Sequence, residues 1–302
     1  GYAKQYYPIS RTINEYHFQS FDSLTTYCIK ARFIAEPTFN EEGYNLGPEY
    51  HKQMYTITPR WAAISKKTER MYNQNDDTKY IETITDYEYN AEHFQLVNTK
   101  YKNSKNQEIQ IKNYYPADLS LSGAAEVARI ALLDKNRVDV VLKQEQLNNN
   151  NPVKETKTNY KLFGNILMPE EIFVKNGSES LESKIKFLKY DSYGNLNSQQ
   201  KTNDVIISYI WDYFQNYPVA ECTNADSSSI AYTSFEADGK GKWSYSSSSI
   251  VNNTTVTGRK IYELNGSNNI TKSGLSSGTT YIVSYWTKNT SAYSITGTIS
   301  GY

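Results

Sequence analysis

The chain has 302 residues, and its 32 Lys and Arg are balanced by 32 Asp and Glu, so the formal net charge is zero at pH 7. A neutral chain lacks the positive field that holds a polyphosphate backbone, which argues against a nucleic-acid partner. The composition includes 28 Tyr but only 10 Phe and 4 Trp. Tyrosine packs its ring on a sheet while its hydroxyl stays in water, so this composition favours half-exposed β-structure over a helical enzyme core.

The first part of the chain carries no targeting or membrane signal. Residues 1–20 lack the basic, apolar and small-residue segments of a signal peptide, and no run of about 18 apolar residues could span a bilayer. Residues 27–33 and 50–57 look like strands, and 41–48 look like a loop. The chain starts with Gly1 and ends on Tyr302 directly after a strand-like run, so we expect both ends to lie within a longer polypeptide.

From residue 79 onward, short Tyr-, Ile-, Val- and Thr-rich runs alternate with Asn-, Gly-, Ser- and Asp-rich clusters, a rhythm that predicts consecutive antiparallel hairpins. The predicted strands are 80–89, 94–101, 108–115, 153–160, 170–175, 181–190 and 205–213, and the predicted turns are 103–106, 148–151, 164–165, 176–177 and 194–195. One segment departs from this rhythm, because alanine, leucine, isoleucine and valine cluster within residues 124–133 as in a buried helix. The pattern predicts one short helix over about 121–135, as the only substantial helix.

A change of composition divides the chain near residue 229. Residues 223–229 are small and polar, which marks a linker and predicts domains over 1–229 and 230–302. Strand-like runs follow at 230–235, 259–264, 281–287 and 292–299, the spacing of a β-sandwich of jelly-roll-like type. The stretch is shorter than the roughly 100 residues that such a sandwich needs, so we expect a partial sandwich, loosely attached to the sheet before it.

The stretch 188–196 reads Leu-Lys-Tyr-Asp-Ser-Tyr-Gly-Asn-Leu, which suits a hairpin turn. Tyr190 closes a strand, Asp191 can accept hydrogen bonds from the turn backbone, Gly194 supplies an unusual φ, and Leu196 restarts the core face. This stretch closely resembles the signature of YD-repeat (Rhs-like) proteins. The runs 207–213 and 217–221, with 87–90, 114–116 and 124–133 upstream, extend the resemblance to Rhs-like proteins of the Bacteroidota over roughly residues 55–225.

The resemblance implies an extended secreted β-sheet scaffold, exported in Bacteroidota commonly by the type 9 secretion system. It therefore implies secretion machinery or other cell-surface proteins as partners. Toxin-bearing members of the family wrap such a sheet into a shell, but their Asp-Pro-containing self-cleavage motif is not found in this sequence. Residues 232–286 resemble a carbohydrate-binding-like β-sandwich, which implies glycans as a second class of partner.

The residues that could carry chemistry are scattered. His17, His51 and His93 lack the spacing of metal ligands, Cys28 and Cys222 favour two free thiols over one bridge, and no Gly-x-Ser-x-Gly motif occurs. The acidic pair Glu170-Glu171 should point apart in a strand, which disfavours a glycosidase. We therefore predict no enzyme and no cofactor. The pair Asp76-Asp77 lies in an oxygen-rich stretch that could attract calcium, although a plain surface loop is favoured.

Trp243 and Trp286 are the candidate sugar-stacking residues, with Tyr245 and Tyr285 beside them in the sequence. A tryptophan buried between two sheets is the favoured alternative, since sandwich cores take large aromatic rings. The leading functional hypothesis is a non-enzymatic secreted or cell-surface scaffold. A carbohydrate-binding surface adhesin is the first alternative, and a delivery shell for a toxin encoded beyond Tyr302 is the second.

Overall fold

A computed structural model describes residues 9–21, 24, 26–35, 41–43, 49–73, 76–265 and 267–288. The described elements are one α-helix, α1 (Gly123–Asp134), a short 3-10 turn (Ser247–Ser249), and the following strands in chain order: β1 (Ser10–Ser20), β2 (Thr26–Ala35), β3 (Glu49–Ile57), β4 (Arg60–Asn73), β5 (Asp76–Tyr89), β6 (Leu96–Lys102), β7 (Glu108–Tyr114), β8 (Lys143–Asn148), β9 (Asn151–Phe163), β10 (Ile166–Asn176), β11 (Glu182–Tyr190), β12 (Leu196–Lys201), β13 (Ile206–Asp212), β14 (Tyr217–Thr223), β15 (Ile250–Asn252) and β16 (Lys260–Tyr262).

Twelve of these strands form one sheet, and nearly all follow chain order. Its order is β1-β4-β5-β6-β7-β8-β9-β10-β11-β12-β13-β14, while β2 pairs only with β3, and β15 only with β16. The pairs whose register is resolved are antiparallel. The prediction of an all-β chain built from consecutive hairpins with a single helix is confirmed. Since α1 lies within residues 121–135, the predicted position of the helix is also confirmed.

The turns follow the residues that tolerate a left-handed backbone. Asn149 and Asn150 have φ of 48° and 63° between β8 and β9, as expected for a two-residue hairpin turn. The strands predicted at 27–33 and 50–57 are present as β2 and β3. The long strands β1 and β4 were not predicted, and the short strands β8, β12 and β14 were not among the predicted strands either.

The chain divides into two compact units. The first comprises residues 1–118, 138–155 and 176–178, so it holds β1 to β8. Its aromatic core is a run of ring contacts in which Phe94 packs on Phe21 and on Trp61, with centroids 5.5 and 5.2 Å apart. Trp61 also contacts Tyr89 at 5.2 Å.

The second unit comprises residues 119–137, 156–175 and 179–302. Its helix α1 buries Ala128 and Leu132, and Arg137 beyond the helix donates to the carbonyl of Leu167. Glu126 accepts hydrogen bonds from the Arg129 guanidinium and from the backbone N–H of Leu121, which together lower its pKa to about 2. In the C-terminal part, Phe235, Tyr245 and Tyr262 form a three-ring cluster with centroids 5.4 to 5.6 Å apart.

The β-sandwich expected after residue 229 is not seen in the described chain. The described residues from 230 to 288 form the short pair β15-β16 and one bridge between Ser244 and Thr271. The strands predicted at 230–235 and 281–287 are absent, because a β-prone run becomes a strand only when a neighbouring segment completes its ladder. The predicted strand at 292–299 lies outside the described residues.

The expected loose junction is also not what the structure shows. The Ser208 hydroxyl donates to the carbonyl of Ala225 at 2.6 Å, and Ser208 is fully buried. Three lysine ammonium groups then donate to the following residues: Lys189 to the Asp226 carboxylate at 2.9 Å, Lys242 to the Ser227 carbonyl, and Lys272 to the Ser228 carbonyl at 2.9 Å. We call residues 225–229 the junction loop. A domain boundary at residue 229 stays a prediction, but the loop itself is firmly held within the second unit.

Candidate functional site

The YD-like motif forms the turn between β11 and β12. The N–H of Asp191 donates to the Asn195 carbonyl at 3.0 Å, and the N–H of Gly194 donates to the Asp191 carbonyl at 3.2 Å. The Oδ1 atom of Asp191 accepts from the N–H groups of Tyr193 and Asn195, both at 2.9 Å. Gly194 has a φ of 91°, which a residue with a side chain rarely adopts. The hydrogen bonds and the unusual φ predicted for this motif are present.

Tyr190 and Leu196 are the pair that closes the strands on either side of this turn. The Tyr190 hydroxyl donates to the carbonyl of Pro169 at 3.0 Å, and its ring contacts Phe163 at 4.9 Å. Burial, and to a smaller extent the neighbouring Tyr160, raises the pKa of Tyr190 to about 12. The Leu196 carbonyl accepts from Nε1 of Trp211 at 2.8 Å. All four residues of the motif therefore have structural roles.

The same five-residue turn occurs a second time, between β6 and β7. Asn103 takes the place of Asp191, and its Oδ1 accepts from Lys105 and Gln107 at 2.9 and 3.0 Å. The N–H of Asn103 donates to the Gln107 carbonyl, and Asn106 occupies the left-handed position with a φ of 59°. The sequence predicts a turn at 103–106 but does not identify it as a second copy of the turn at Asp191. Its signal is an Asx residue followed by Ser and, three positions on, by Gly or Asn.

A variant of this turn, longer by one residue, joins β5 to β6. Asn90 accepts from the N–H groups of Glu92 and His93 through Oδ1, at 2.7 and 3.2 Å. Phe94 holds the left-handed position, with a φ of 57°. Tyr89 and Leu96 close the strands here, as Tyr190 and Leu196 do in the second unit.

The turn between β13 and β14 is strained. Tyr213, Phe214 and Gln215 have φ of 52°, 57° and 63°, three consecutive left-handed residues that are not glycine. Such a conformation costs about 1 to 2 kcal/mol per residue, so the surroundings must enforce it. Oδ1 of Asp212, a residue only 3% exposed, accepts from the N–H groups of Tyr213 and Gly239 at 2.8 and 2.7 Å.

Beside this turn lies a cleft of about 290 Å³ in the second unit, lined among others by Asp191, Trp211, Asp212, Lys240 and Lys242. Both lysine ammonium groups of the cleft are already hydrogen-bonded. Lys240 donates to the Tyr245 carbonyl at 2.6 Å, and Lys242 donates to the Ser227 carbonyl. Burial, reinforced by the nearby ammonium of Lys272, lowers the pKa of Lys242.

The two candidate sugar-stacking tryptophans differ in exposure. Trp243 is half-buried, and its backbone N–H donates to the Lys240 carbonyl at 2.9 Å in a turn. Trp286 is 80% exposed. In the described chain no ring contact joins the two, and Tyr245 is buried in the three-ring cluster. For Trp286, the alternative of burial between two sheets is therefore wrong.

The histidines and carboxylates considered from sequence make local contacts. His93 packs on Tyr115, its Nε2 lies 3.0 Å from Oδ1 of Asp118, and its Nδ1 accepts from the N–H of Gln95. Both ring nitrogens are thus in use, which suits a structural role. Glu170 and Glu171 pair with Lys161 and Lys186, on β9 and β11 respectively, so they do point apart.

The carboxylate of Asp76, the possible calcium ligand, already bonds residues of its own strand. Its Oδ1 accepts from the hydroxyl and N–H of Thr78, and its Oδ2 lies 3.1 Å from the Lys79 ammonium. These contacts lower the pKa of Asp76, the Thr78 hydroxyl most of all. The Asp77 side chain lies outside the described residues. Within the described ranges, no three His, Cys, Asp or Glu side chains cluster as a metal site would need. Cys28 and Cys222 are free thiols.

Comparison with known proteins places the chain in no family. No protein-family model matches it, and no curated protein matches it either. In the described part of the chain, no helix combines the length and the apolar character that a membrane span requires.

Proposed function

We propose that this chain is a non-enzymatic β-scaffold, part of a secreted or cell-surface protein of the YD-repeat type. The observation that carries the proposal is the recurrent turn. Asn103 and Asp191 make the same four hydrogen bonds with their own five-residue segments, so the bonds that close each turn lie within the turn itself. A turn closed by its own residues can recur wherever a hairpin is added to a sheet, which suits a repetitive scaffold.

The ionisable groups support the same proposal, because Glu88 and Glu145 hydrogen-bond side chains on neighbouring strands of the sheet. Glu88 accepts from Asn98 and Lys100 on the neighbouring strand, and these contacts lower its pKa. Glu145 bonds the Tyr114 hydroxyl across β7 and β8, and burial together with that hydrogen bond raises the pKa of Tyr114 to about 12. A tyrosine held neutral in this way packs and donates, and it does not serve as a base.

Cell fractionation of the native source tests this proposal. We expect antibody against the chain to detect it in the medium or on the cell surface. Protease added to intact cells should remove the surface-bound signal, and a cytosolic protein serves as the control for lysis. Recovery in the cytosol would contradict the proposed location.

A second candidate function, binding of carbohydrate, is favoured by the exposure of Trp286. An indole that is 80% exposed offers a face on which the apolar side of a sugar ring can stack. On a glycan array, Trp286→Ala should lose binding that Trp243→Ala retains, because Trp243 is half-buried in a turn. Binding that survives both substitutions would remove this candidate.

A further inference from the structure

Strand β1 forms one edge of the twelve-stranded sheet, because among the described residues it pairs with β4 alone. Only Ile13 and Gln19 of its eleven residues are partly buried, and the others are exposed. Residues 10–15, which precede the bulge between Glu15 and Tyr16, contain no proline and no lysine, the residues that commonly block an open edge. This part of β1 can therefore accept another strand.

The hydrogen bonds to β4 show which residues of β1 face outward. The N–H of Tyr72 donates to the Ile9 carbonyl at 3.1 Å, and the register of β1 against β4, continued by one residue, sets these two opposite each other. Because hydrogen-bonded pairs alternate along an antiparallel ladder, residues 9, 11, 13 and 15 bond β4. The N–H and C=O groups that point away from the sheet are those of Ser10, Thr12 and Asn14.

A second copy of β1 fits this edge in one register. The outward-facing residues must lie opposite one another to exchange hydrogen bonds, so a two-fold axis between the copies passes through a residue of β1. With the axis at Ile13, Arg11 of each copy lies opposite Glu15 of the other on the same face. An axis at position 12 or 14 loses this match, and an axis at position 15 sets two carboxylates together. We propose that the chain dimerises by antiparallel pairing of β1 with β1 about Ile13.

The charges of Arg11 and Glu15 select a second copy of the chain as the occupant of this edge. Across the ladder Arg11 faces Arg70 and Glu15 faces Lys66, and both of these β4 cations form ion pairs with carboxylates of β5. In the described part of the chain, neither Arg11 nor Glu15 makes an ion pair. The proposed register gives each of them a partner of opposite sign. These contacts fall at pairs that exchange no hydrogen bonds, where facing side chains are closest.

Sedimentation velocity of the full chain over a range of concentrations tests the proposal. We expect a monomer–dimer equilibrium. Arg11→Glu or Glu15→Arg should raise the dissociation constant about tenfold, because each sets two pairs of like charges together. The double substitution Arg11→Glu with Glu15→Arg should restore the dimer, and so should a mixture of the two single variants, in which unlike charges face each other again. Glu221→Arg on β14, at the opposite edge of the sheet, is the control and should dimerise like the unaltered chain.

Cysteine cross-linking tests the register. In a chain whose Cys28 and Cys222 are changed to Ser, Ile13→Cys should give a disulfide-linked dimer on mild oxidation, because the two side chains meet at the axis. Thr12→Cys is the matched control, since its two copies would lie diagonally, roughly 7–8 Å apart, beyond the reach of a disulfide.

Four outcomes would overturn the proposal. They are a monomer at every concentration, equal cross-linking of the two cysteine variants, a double charge variant that fails to dimerise, and loss of the dimer in Glu221→Arg, which would assign the contact to the edge at β14. None of these outcomes depends on where the native protein is located, so the scaffold proposal stands or fails separately.

Discussion

Asp191 and Asn103 each organise a turn through a single side-chain oxygen. Oδ1 of Asp191 accepts from two backbone N–H groups, and Oδ1 of Asn103 accepts from the equivalent two. An amide oxygen thus does at residue 103 what a carboxylate oxygen does at residue 191. It follows that the geometry of the acceptor, and not its negative charge, holds the turn.

Substitution of Asp191 tests this interpretation. Asp191→Ala leaves two backbone N–H groups without their acceptor, and we expect it to lower the free energy of unfolding by about 2 kcal/mol. Asp191→Asn keeps an oxygen in place and should cost less than about 1 kcal/mol. Denaturant unfolding of each variant gives the comparison, and Ser192→Ala, at the exposed neighbouring position, is the control. Equal losses for Ala and Asn would mean that the charge matters after all.

Sequence reasoning identifies a structural residue when its amino-acid type alone implies its role. The Tyr-Asp motif indicates Asp191 and Gly194, because Asp accepts from nearby N–H groups and Gly tolerates a positive φ. The motif does not indicate Asn90 and Asn103, although their side-chain oxygens also accept hydrogen bonds from the backbone of a turn. His93 and Asp118 are in contact although they lie 25 positions apart in the sequence, so no local pattern predicts the pair.

Among the elements, two of the predicted strands begin or end at turn residues. β11, predicted at 181–190, ends at the turn Asp191 to Asn195, and β9, predicted at 153–160, follows two left-handed asparagines. β4 was missed because its apolar residues do not alternate, and most of its residues are partly buried on both faces. A strand shielded on both sides lacks the period of two on which sequence reasoning depends.

The contacts of Asp226 in the junction loop predict how the stability of the protein depends on pH. The Ser228 hydroxyl and the Lys189 ammonium both hydrogen-bond the Asp226 carboxylate, and they hold its pKa well below the ordinary value of 3.8. A carboxylate with a depressed pKa stabilises the fold above its unfolded pKa and loses that contribution as the pH falls toward its folded value. We therefore expect Asp226→Asn to be destabilised relative to the unaltered chain at neutral pH.

That difference should shrink as the pH is lowered below 3.8, because the unaltered carboxylate then takes up a proton on unfolding. Urea unfolding of both proteins at several pH values measures it. Glu182→Gln is the comparison, because Glu182 also pairs with a lysine, Lys184 at 2.7 Å, but its side chain is 57% exposed against 33% for Asp226, so a smaller difference is expected. A difference that is constant with pH would show that the Asp226 charge does not contribute.

Among the described residues, a three-strand pattern occurs once in each unit. Tyr89 and Leu96 pair between β5 and β6, and Tyr190 and Leu196 pair between β11 and β12. In both, the leucine carbonyl accepts from an aromatic side chain at or just after the third strand, Tyr115 at 2.9 Å and Trp211 at 2.8 Å. The sequence reasoning found the second copy through its Tyr-Asp motif and did not recognise the first as its counterpart.

The two copies should differ in their response to mutation. The Leu96 carbonyl also accepts from the Asn113 side chain at 3.1 Å, so Tyr115→Phe should cost only about 0.5 kcal/mol. Trp211 is the one side chain in the described chain that donates to the Leu196 carbonyl, and Trp211→Phe should cost about 2 kcal/mol, part of it from the smaller ring. Thermal unfolding monitored by circular dichroism compares them. Equal costs would show that Asn113 does not compensate.

The lysine contacts of the junction loop also bear on how the protein can be processed. A protease needs a stretch of chain that it can draw out into an extended form, and serine-rich linkers usually supply one. Here the serine-rich residues 226–229 are fastened by Lys189, Lys242 and Lys272, which come from three separate parts of the chain. Cleavage at this point would first have to release all three ammonium groups. The most linker-like stretch of the sequence is therefore protected against proteolysis by its lysine contacts.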